Sequence, residues 1–224
     1  MCGRFVGFRS LEELKENFPI DKADCEVTAN YNVAPSQEIL AIINMAGENR
    51  LDKFHWGLVP FWSKDISIGN RMINARSETI AEKPSFRNAF KKRRCLILAD
   101  GFYEWKGEKG HKQPMFITLP DRKPFAFAGL WETWNKKSDS ASIYKSCTII
   151  TTQASETFSE IHHRMPVILK SEFYEPWLDP QNHDLDALKN ILKNEIHTEL
   201  LSCPVSKQVN SASHNNPSCI EPIA

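Results

Sequence analysis

Arg94-Cys95-Leu96-Ile97-Leu98-Ala99-Asp100-Gly101-Phe102-Tyr103-Glu104-Trp105-Lys106 sets a continuous apolar run against an Asp-Gly turn and an aromatic stretch that holds one carboxylate. A short apolar run closed by Asp-Gly reads as a buried strand, and residues 102–106 read as another. Further β-rich segments follow at 115–119, 125–131 and 144–151, with Leu119-Pro120-Asp121 as a second turn signal. Upstream, a compact apolar run makes 38–44 a strand. Ser10-Leu11-Glu12-Glu13 is a capping-box pattern, and Leu11, Leu14 and Phe18 fall at helical spacing, so a short helix is expected over 10–18. Phe86 and Phe90 stand four apart in a helix over 85–93, and helical patterns return at 171–177 and 184–193. A last extended stretch covers 200–209. Helices interspersed with short strands, without regular alternation, indicate an α+β fold. The expected core is a mostly antiparallel, barrel-like sheet with peripheral helices. No repeat or linker divides the chain, so 1–224 is expected to be one domain.

The bulk numbers narrow the function classes. Hydrophobic content of 41% and charged content of 25% are those of an ordinary globular chain. Lys+Arg and Asp+Glu balance at 28 each, which excludes a histone-like polycation but leaves room for a local basic cleft. None of the 6 cysteines forms a C-x-x-C pair, so zinc is not expected. Cys95 and Cys147 lie in apolar runs and read as buried thiols. No signal peptide is apparent and no apolar run approaches ~20 residues, so a cytoplasmic chain with free thiols and no membrane segment is expected.

The chain begins Met1-Cys2-Gly3-Arg4-Phe5. Loss of Met1 would give Cys2 a free α-amine and a thiol on neighbouring carbons. This 1,2-aminothiol captures aldehydes: the amine forms a Schiff base and the thiol closes a thiazolidine. Both groups are partly reactive near neutrality, with ordinary pKa values of ~8.5 for the thiol and ~8 for the amine. Taken alone, position 2 reads more simply as a tail residue. Glu104 shares a strand face with Phe102 and is expected to be held between Tyr103 and Trp105. A desolvated carboxyl there suits acid/base work, although an exposed strand glutamate is the plainer reading. His162 and His163 lie in a polar turn and offer an acid/base group or an ordinary surface histidine. Trp56-Gly57-Leu58-Val59-Pro60-Phe61-Trp62 offers either stacking surfaces for bases or core aromatics. Lys91-Lys92-Arg93-Arg94 reads as the solvated end of a helix.

Several of these segments, in order, carry a family resemblance. They are Met1-Cys2-Gly3-Arg4-Phe5, Tyr31-Asn32-Val33-Ala34-Pro35, Trp56-Gly57-Leu58-Val59-Pro60, Asn74-Ala75-Arg76-Ser77-Glu78-Thr79, the stretch from Cys95 to Trp105, Phe127-Ala128-Gly129-Leu130-Trp131-Glu132, and His162 with Arg164-Met165-Pro166. The chain resembles the SRAP family (SOS-response-associated peptidase domain), sensors of abasic sites in single-stranded DNA, over essentially its whole length. The resemblance implies that Cys2 captures the lesion's aldehyde as a thiazolidine, a lyase-like covalent cross-link that shields the lesion during the DNA damage response. By position, Glu104 would move protons, His162 would assist ring opening, and Asn74 would hydrogen-bond the reacting amine or sugar. Arg4, Arg76 and Arg164 would hold flanking phosphates, with Asn32, Pro35 and Trp62 along the DNA path. The implied partner is single-stranded DNA containing abasic sites, bound by a monomer at damaged DNA in the nucleoid, with no cofactor or metal. The chain departs from some relatives in that Trp62 is followed by Ser63 and a longer segment, 64–71, and in that His163 accompanies His162. Two other functions compete. One is a thiol peptidase that removes its own initiator methionine. The other is a non-catalytic reader of modified bases. Only aldehyde capture needs both the amine and the thiol of Cys2.

Overall fold

The computed structural model describes residues 2–108, 110–135 and 143–223. The first strands are β1 (Phe5–Gly7), β2 (Lys22–Ala23), β3 (Asn30–Val33), β4 (Glu38–Met45), β5 (Glu48–Trp56), β6 (Asn74–Arg76) and β7 (Arg94–Ala99). They are followed by β8 (Gly101–Lys106), β9 (Gln113–Thr118), β10 (Phe125–Trp134), β11 (Tyr144–Gln153), β12 (Arg164–Pro166), β13 (Ile168–Leu169) and β14 (Leu201–Pro204). The α-helices are α1 (Leu11–Asn17), α2 (Arg87–Lys92), α3 (Glu156–Ser159), α4 (Tyr174–Leu178) and α5 (Leu185–Asn194).

The larger sheet nearly closes on itself. Antiparallel pairing runs β5-β4-β7-β10-β11, and a parallel contact of β11 with β5 (Ser146 opposite His55, Cys147 opposite Trp56) joins the ends. Strand alternation then sorts the side chains. Ile39, Ala41 and Ile43 of β4, Cys95 and Ile97 of β7, Phe125 and Phe127 of β10, and Cys147 and Ile149 of β11 fill the inside of the ring. The intervening residues, including Ile42, Leu96, Leu98, Ala126, Ala128 and Ile150, face outward under Leu14, Phe90, Trp177 and Leu188 of the surrounding helices. The interior is tight at Gly129, where a Cβ would lie 2.8 Å from Cys95 Sγ and 2.8 Å from Ile97 Cδ1. A second, antiparallel sheet in the order β14-β9-β8-β1-β3 lies against this core and contributes Phe5, Phe102 and Ile117 to it. The fold is therefore α+β, mostly antiparallel and barrel-like, as expected. No helix is long and apolar enough to cross a membrane among the described residues.

The expected helix over 10–18 forms with both halves of its capping box: Glu13 N–H donates to Ser10 Oγ (3.3 Å) and Ser10 N–H to Glu13 Oε2 (2.9 Å). The segment 171–177 divides into a 3₁₀ turn, Ser171–Phe173, and α4. The extended stretch expected over 200–209 stops at Pro204. Ser206 then caps a 3₁₀ turn at Lys207–Asn210, its Oγ accepting from Gln208 N–H (3.3 Å).

The basic run at the end of α2 also needs correction. Lys91 and Lys92 are solvated, but Arg93 pairs with Glu132 (2.7 Å) and Arg94 is buried. The Arg94 guanidinium donates to Phe90 O (2.9 Å), Lys91 O (2.8 Å) and Trp177 O (2.8 Å), and also to the carbonyls of Asp179 and Asn182. It thus satisfies the orphan carbonyls at the C-terminal ends of both α2 and α4. Burial lowers its pKa to about 10, so it stays charged at neutrality. Replacement Arg94→Ala would leave several buried carbonyls unpaired, at ~1–3 kcal/mol each before relaxation. Urea unfolding should show a loss of about 3–5 kcal/mol for Arg94→Ala and of no more than about 0.5 kcal/mol for Lys91→Ala. Equal losses for the two would refute this role for Arg94.

Candidate active site

The N-terminus meets Glu104 through backbone pairing. Phe5 on β1 lies opposite Phe102 on β8, and Tyr103 N–H donates to Arg4 O (3.0 Å), so Cys2 to Arg4 run beside the end of β8 that carries Glu104. Cys2 is buried among the interior residues of the ring, with its thiol 4.0 Å from Arg4 O. Asn74 arrives from a different direction. Its strand, β6, pairs in parallel with β11, placing Asn74 opposite Ile149. The preceding carbonyl, Ile73 O, accepts from Trp56 Nε1 (2.9 Å) and from Ile149 N–H (3.1 Å). So anchored, Asn74 Nδ2 donates to Cys2 O (2.8 Å). Asn74 Oδ1 is buried and accepts no hydrogen bond from the described residues. An unpaired buried acceptor costs ~1–3 kcal/mol.

Glu104 is buried at 5% exposure, and its charge acts on both Cys2 and His162. Burial first, and then the negative charge of Glu104, push the Cys2 thiol well above its ordinary range. Glu104 does not sit between Tyr103 and Trp105, contrary to expectation. Strand alternation turns those rings to the opposite face of β8, where Tyr103 Oη donates to Tyr31 O (2.8 Å) and Trp105 Nε1 to Asn210 Oδ1 (2.7 Å). Glu104 instead shares its face with Phe102, as the period-two reading required.

The two histidines separate clearly. His163 is exposed and stacks on His162 at 4.3 Å between ring centroids. His162 is half-buried, with Arg164 N 3.0 Å from its Nδ1. The same Nδ1 lies 3.0 Å from Arg164 O, so it accepts from the Arg164 N–H or donates to that carbonyl according to the tautomer. Burial lowers the His162 pKa, and the neighbouring Glu104 charge acts in the opposite direction.

The basic residues fall into two groups. Arg76 is exposed on β6 opposite Thr151. Arg164 is buried close by: its guanidinium donates to both oxygens of Glu78 (2.6 and 3.0 Å) and to Thr151 O (2.7 Å). Glu78 is a functional candidate that residue-by-residue reading missed. Its signal was its place at the end of the Asn74-Ala75-Arg76-Ser77-Glu78 run. Arg4 and Asn32 lie apart from this group and hold the C-terminal segment. Arg4 donates to Asn32 Oδ1 (2.7 Å), Val209 O (2.6 Å) and Asn210 O (3.2 Å). The fully buried Asn32 amide donates to Val209 O, Ser211 O and His214 O. Pro35 is half-buried just ahead of β4, before Ser36 with its φ of 69°. Trp56 belongs to the core, whereas Phe61 and Trp62 are 54% and 49% exposed. They occupy a loop that starts at Gly57, where φ is 138° and Gly69 O would lie 2.6 Å from a Cβ.

A barrel-like α+β fold with an N-terminal Cys-Gly-Arg segment docked against a buried Glu, an Asn and a His defines a recognisable class. The family model described as SOS response associated peptidase (SRAP) matches residues 1–212, and the chain belongs to this family. It is 48% identical over 224 residues to the abasic site processing protein YoqW of Bacillus subtilis (strain 168), covering 99% of both chains. It is 30% identical over 229 residues to the abasic site processing protein YedK of Escherichia coli (strain K12), covering 100% of both. A solved structure of a protein from Bacteroides thetaiotaomicron matches with a TM-score of 0.84 at 24% identity, covering 100% of both chains. Another, from Bordetella bronchiseptica, matches with a TM-score of 0.77 at 25% identity, covering 92% of this chain and 100% of that one.

The electrostatics of His162 are directly testable. Because the fold favours the neutral ring, this residue contributes stability above the ordinary imidazole pKa of ~6.5, and that contribution is lost as pH falls through the lowered folded value. An NMR titration should place the His162 midpoint below ~6.5. Glu104→Gln should move it lower still, because it removes the charge that favours the imidazolium. An upward or absent shift in Glu104→Gln would mean that the carboxylate does not act on this ring.

Proposed function

We propose that this protein captures abasic sites in single-stranded DNA as a covalent thiazolidine on Cys2. The observation that carries this reading is the convergence of Cys2, Asn74, Glu104 and His162 from separate segments of the chain. The abasic sugar equilibrates with an open-chain aldehyde at C1′. Once Met1 is removed, the Cys2 amine adds to that carbon and a water leaves, giving an imine. The Cys2 thiol then adds across the C=N bond, its proton passing to nitrogen, and the five-membered ring closes. The net change is loss of one water. Glu104 and His162 shuttle the protons of ring opening, dehydration and closure. Asn74 Oδ1 accepts a hydrogen bond from the amine or from a sugar hydroxyl. Arg76 and Arg164 hold flanking phosphates, with Arg164 kept in place by Glu78. Arg4 contributes a further positive charge, although its guanidinium already holds three acceptors.

The state of the thiol favours this reading over a thiol peptidase. A peptidase nucleophile needs a stabilised thiolate. Burial and the Glu104 charge favour the neutral thiol here. Aldehyde capture tolerates that, because the amine attacks first. The reading is also supported by the family membership and by relatives that are abasic site processing proteins.

Incubation with an abasic single-stranded oligonucleotide should give a heat-stable adduct of protein lacking Met1, measured by denaturing gel and intact mass. Cys2→Ala should form none, and Cys2→Ser should leave only an imine that borohydride traps. Wild-type levels of stable adduct from Cys2→Ala, or from protein that retains Met1, would overturn the proposal.

Single-turnover rates at saturating protein should fall in Glu104→Gln and in His162→Ala by up to the ~100- to 10,000-fold that a positioned acid or base supplies. DNA affinity should stay within a few-fold, and His163→Ala should react close to the wild-type rate. A slow His163→Ala beside a normal His162→Ala would reverse the assignment of the histidine.

A further inference from the structure

The smaller sheet carries a cavity of about 370 Å³ on the face that turns away from the ring. Strand register assigns its floor. Thr118 lies opposite Leu201 and Phe116 opposite Cys203, so alternation puts these four side chains on one face, while Ile117 between them packs into the ring. Phe116 sits against Gly101, where a Cβ would lie 2.4 Å from its Cε2, so the missing side chain lets the ring rest low on the sheet. Phe8 forms one wall, and Ile220 with Pro222 another. The second wall is fixed by the pairing of Val205 with Pro222 and by Ile223 N–H donating to Pro204 O (3.0 Å). The cavity is separate from the candidate active site. Phe116 lies opposite Tyr103, on the face turned away from Glu104. Asp100, at the rim, precedes Glu104 by four residues of extended chain, about 13 Å.

The charges at the rim do not cancel. Arg9 pairs with Asp100 (2.9 Å) and with Glu13 (2.9 Å), and Lys123 pairs with Asp121 (3.5 Å). Arg122 also lines the cavity, and it has no acidic partner among the described residues. Its φ is 55°, a left-handed conformation that glycine adopts freely and arginine does not. The turn that imposes this φ is held by Arg122 N–H donating to Leu119 O (3.0 Å) and by Arg9 Nη2 donating to Arg122 O (3.3 Å). An apolar floor therefore ends at one uncompensated guanidinium. Small-molecule sites share this plan: a mostly apolar concavity, about 300–1,000 Å³ in volume, with a few placed polar groups.

We propose that this cavity binds a small monocarboxylate with an apolar tail, the tail lying on Phe116, Leu201 and Ile220 and the carboxylate meeting Arg122. A guanidinium presents paired donors that match a carboxylate. The single uncompensated charge favours a monoanion over a phosphate monoester, which brings nearly two charges at neutral pH. The buried tail supplies affinity, and the ion pair sets which end of the ligand faces outward. Neither Cys2 nor its neighbours take part, so the site is independent of lesion capture.

The test titrates the full-length protein with octanoate, butyrate and octylammonium and follows the backbone amides by NMR. Octanoate should give saturable shifts centred on Thr118, Arg122, Cys203 and Ile220. Affinity should rise about fourfold for each methylene added between butyrate and octanoate. Octylammonium should leave these amides in place. Arg122→Gly suits a φ of 55°, so it should melt close to wild type while losing octanoate affinity about fivefold or more at low salt. Cys203→Phe, which fills the cavity, should abolish saturable binding, with unchanged shifts around Glu104 showing that it folds. Equal affinity for butyrate and octanoate, equal shifts from octylammonium, or undiminished affinity in Arg122→Gly would overturn the proposal, as would shifts spread over the surface without saturation.

Discussion

Strand β11 pairs in parallel with two segments that are remote from it in sequence, and both the barrel and the site depend on that pairing. Its contact with β5 at Ser146 and Cys147 joins the ends of the five-stranded ring. Its contact with β6 from Ile149 to Thr151 sets the height of Asn74 and Arg76 on the wall. Parallel neighbours cannot be joined by a tight turn, so the long connections between these strands are required by geometry. The loop of Phe61 and Trp62 joins β5 to β6, the two segments that pair in succession along β11. A single ladder thus fixes where the lesion chemistry is proposed to occur and which surfaces border it.

The energetic cost of the site is visible in its polar groups. Cys2 and Glu104 are almost wholly buried, and Asn74 keeps a buried oxygen without a donor among the described residues. Burying such groups lowers stability unless they are paired. The surrounding ring compensates with a closely packed interior of aromatic and aliphatic side chains, and with the Arg94 anchor on the opposite side of the wall. A rigid shell of this kind suits the proposed capture, in which the reacting groups must be held in place. The proposed chemistry is intrinsic to a 1,2-aminothiol, so the protein's contribution is orientation, proton transfer and exclusion of competing nucleophiles.

Much of the fold was legible where local pattern and final structure coincide. The run from Arg94 to Ala99 became β7, the capping box became the start of α1, and the alternation of Phe102 and Glu104 gave the correct face of β8. Strand β5 was hidden because Asp52, Lys53 and His55 interrupt its apolar residues. Its turn, Ala46-Gly47, also adopts positive φ at both positions without an Asn-Gly signal. Strand β6 has three residues and exists only because β11 pairs with it. The sandwich of Glu104 between Tyr103 and Trp105 confused sequence neighbours with spatial ones. At the candidate site the residue types could be read from sequence, but their meeting could not, since it depends on long-range pairing. The same holds for Glu78, whose carboxylate has no visible purpose until Arg164 is found beside it.

The most direct test of covalent capture is the bonding of the lesion carbon itself. An abasic oligonucleotide carrying ¹³C at C1′ should give, after reaction, a saturated carbon bonded to both nitrogen and sulfur, and this signal should persist when the protein is unfolded. A resonance typical of an imine, or of a carbon joined to only one of the two heteroatoms of Cys2, would contradict the account.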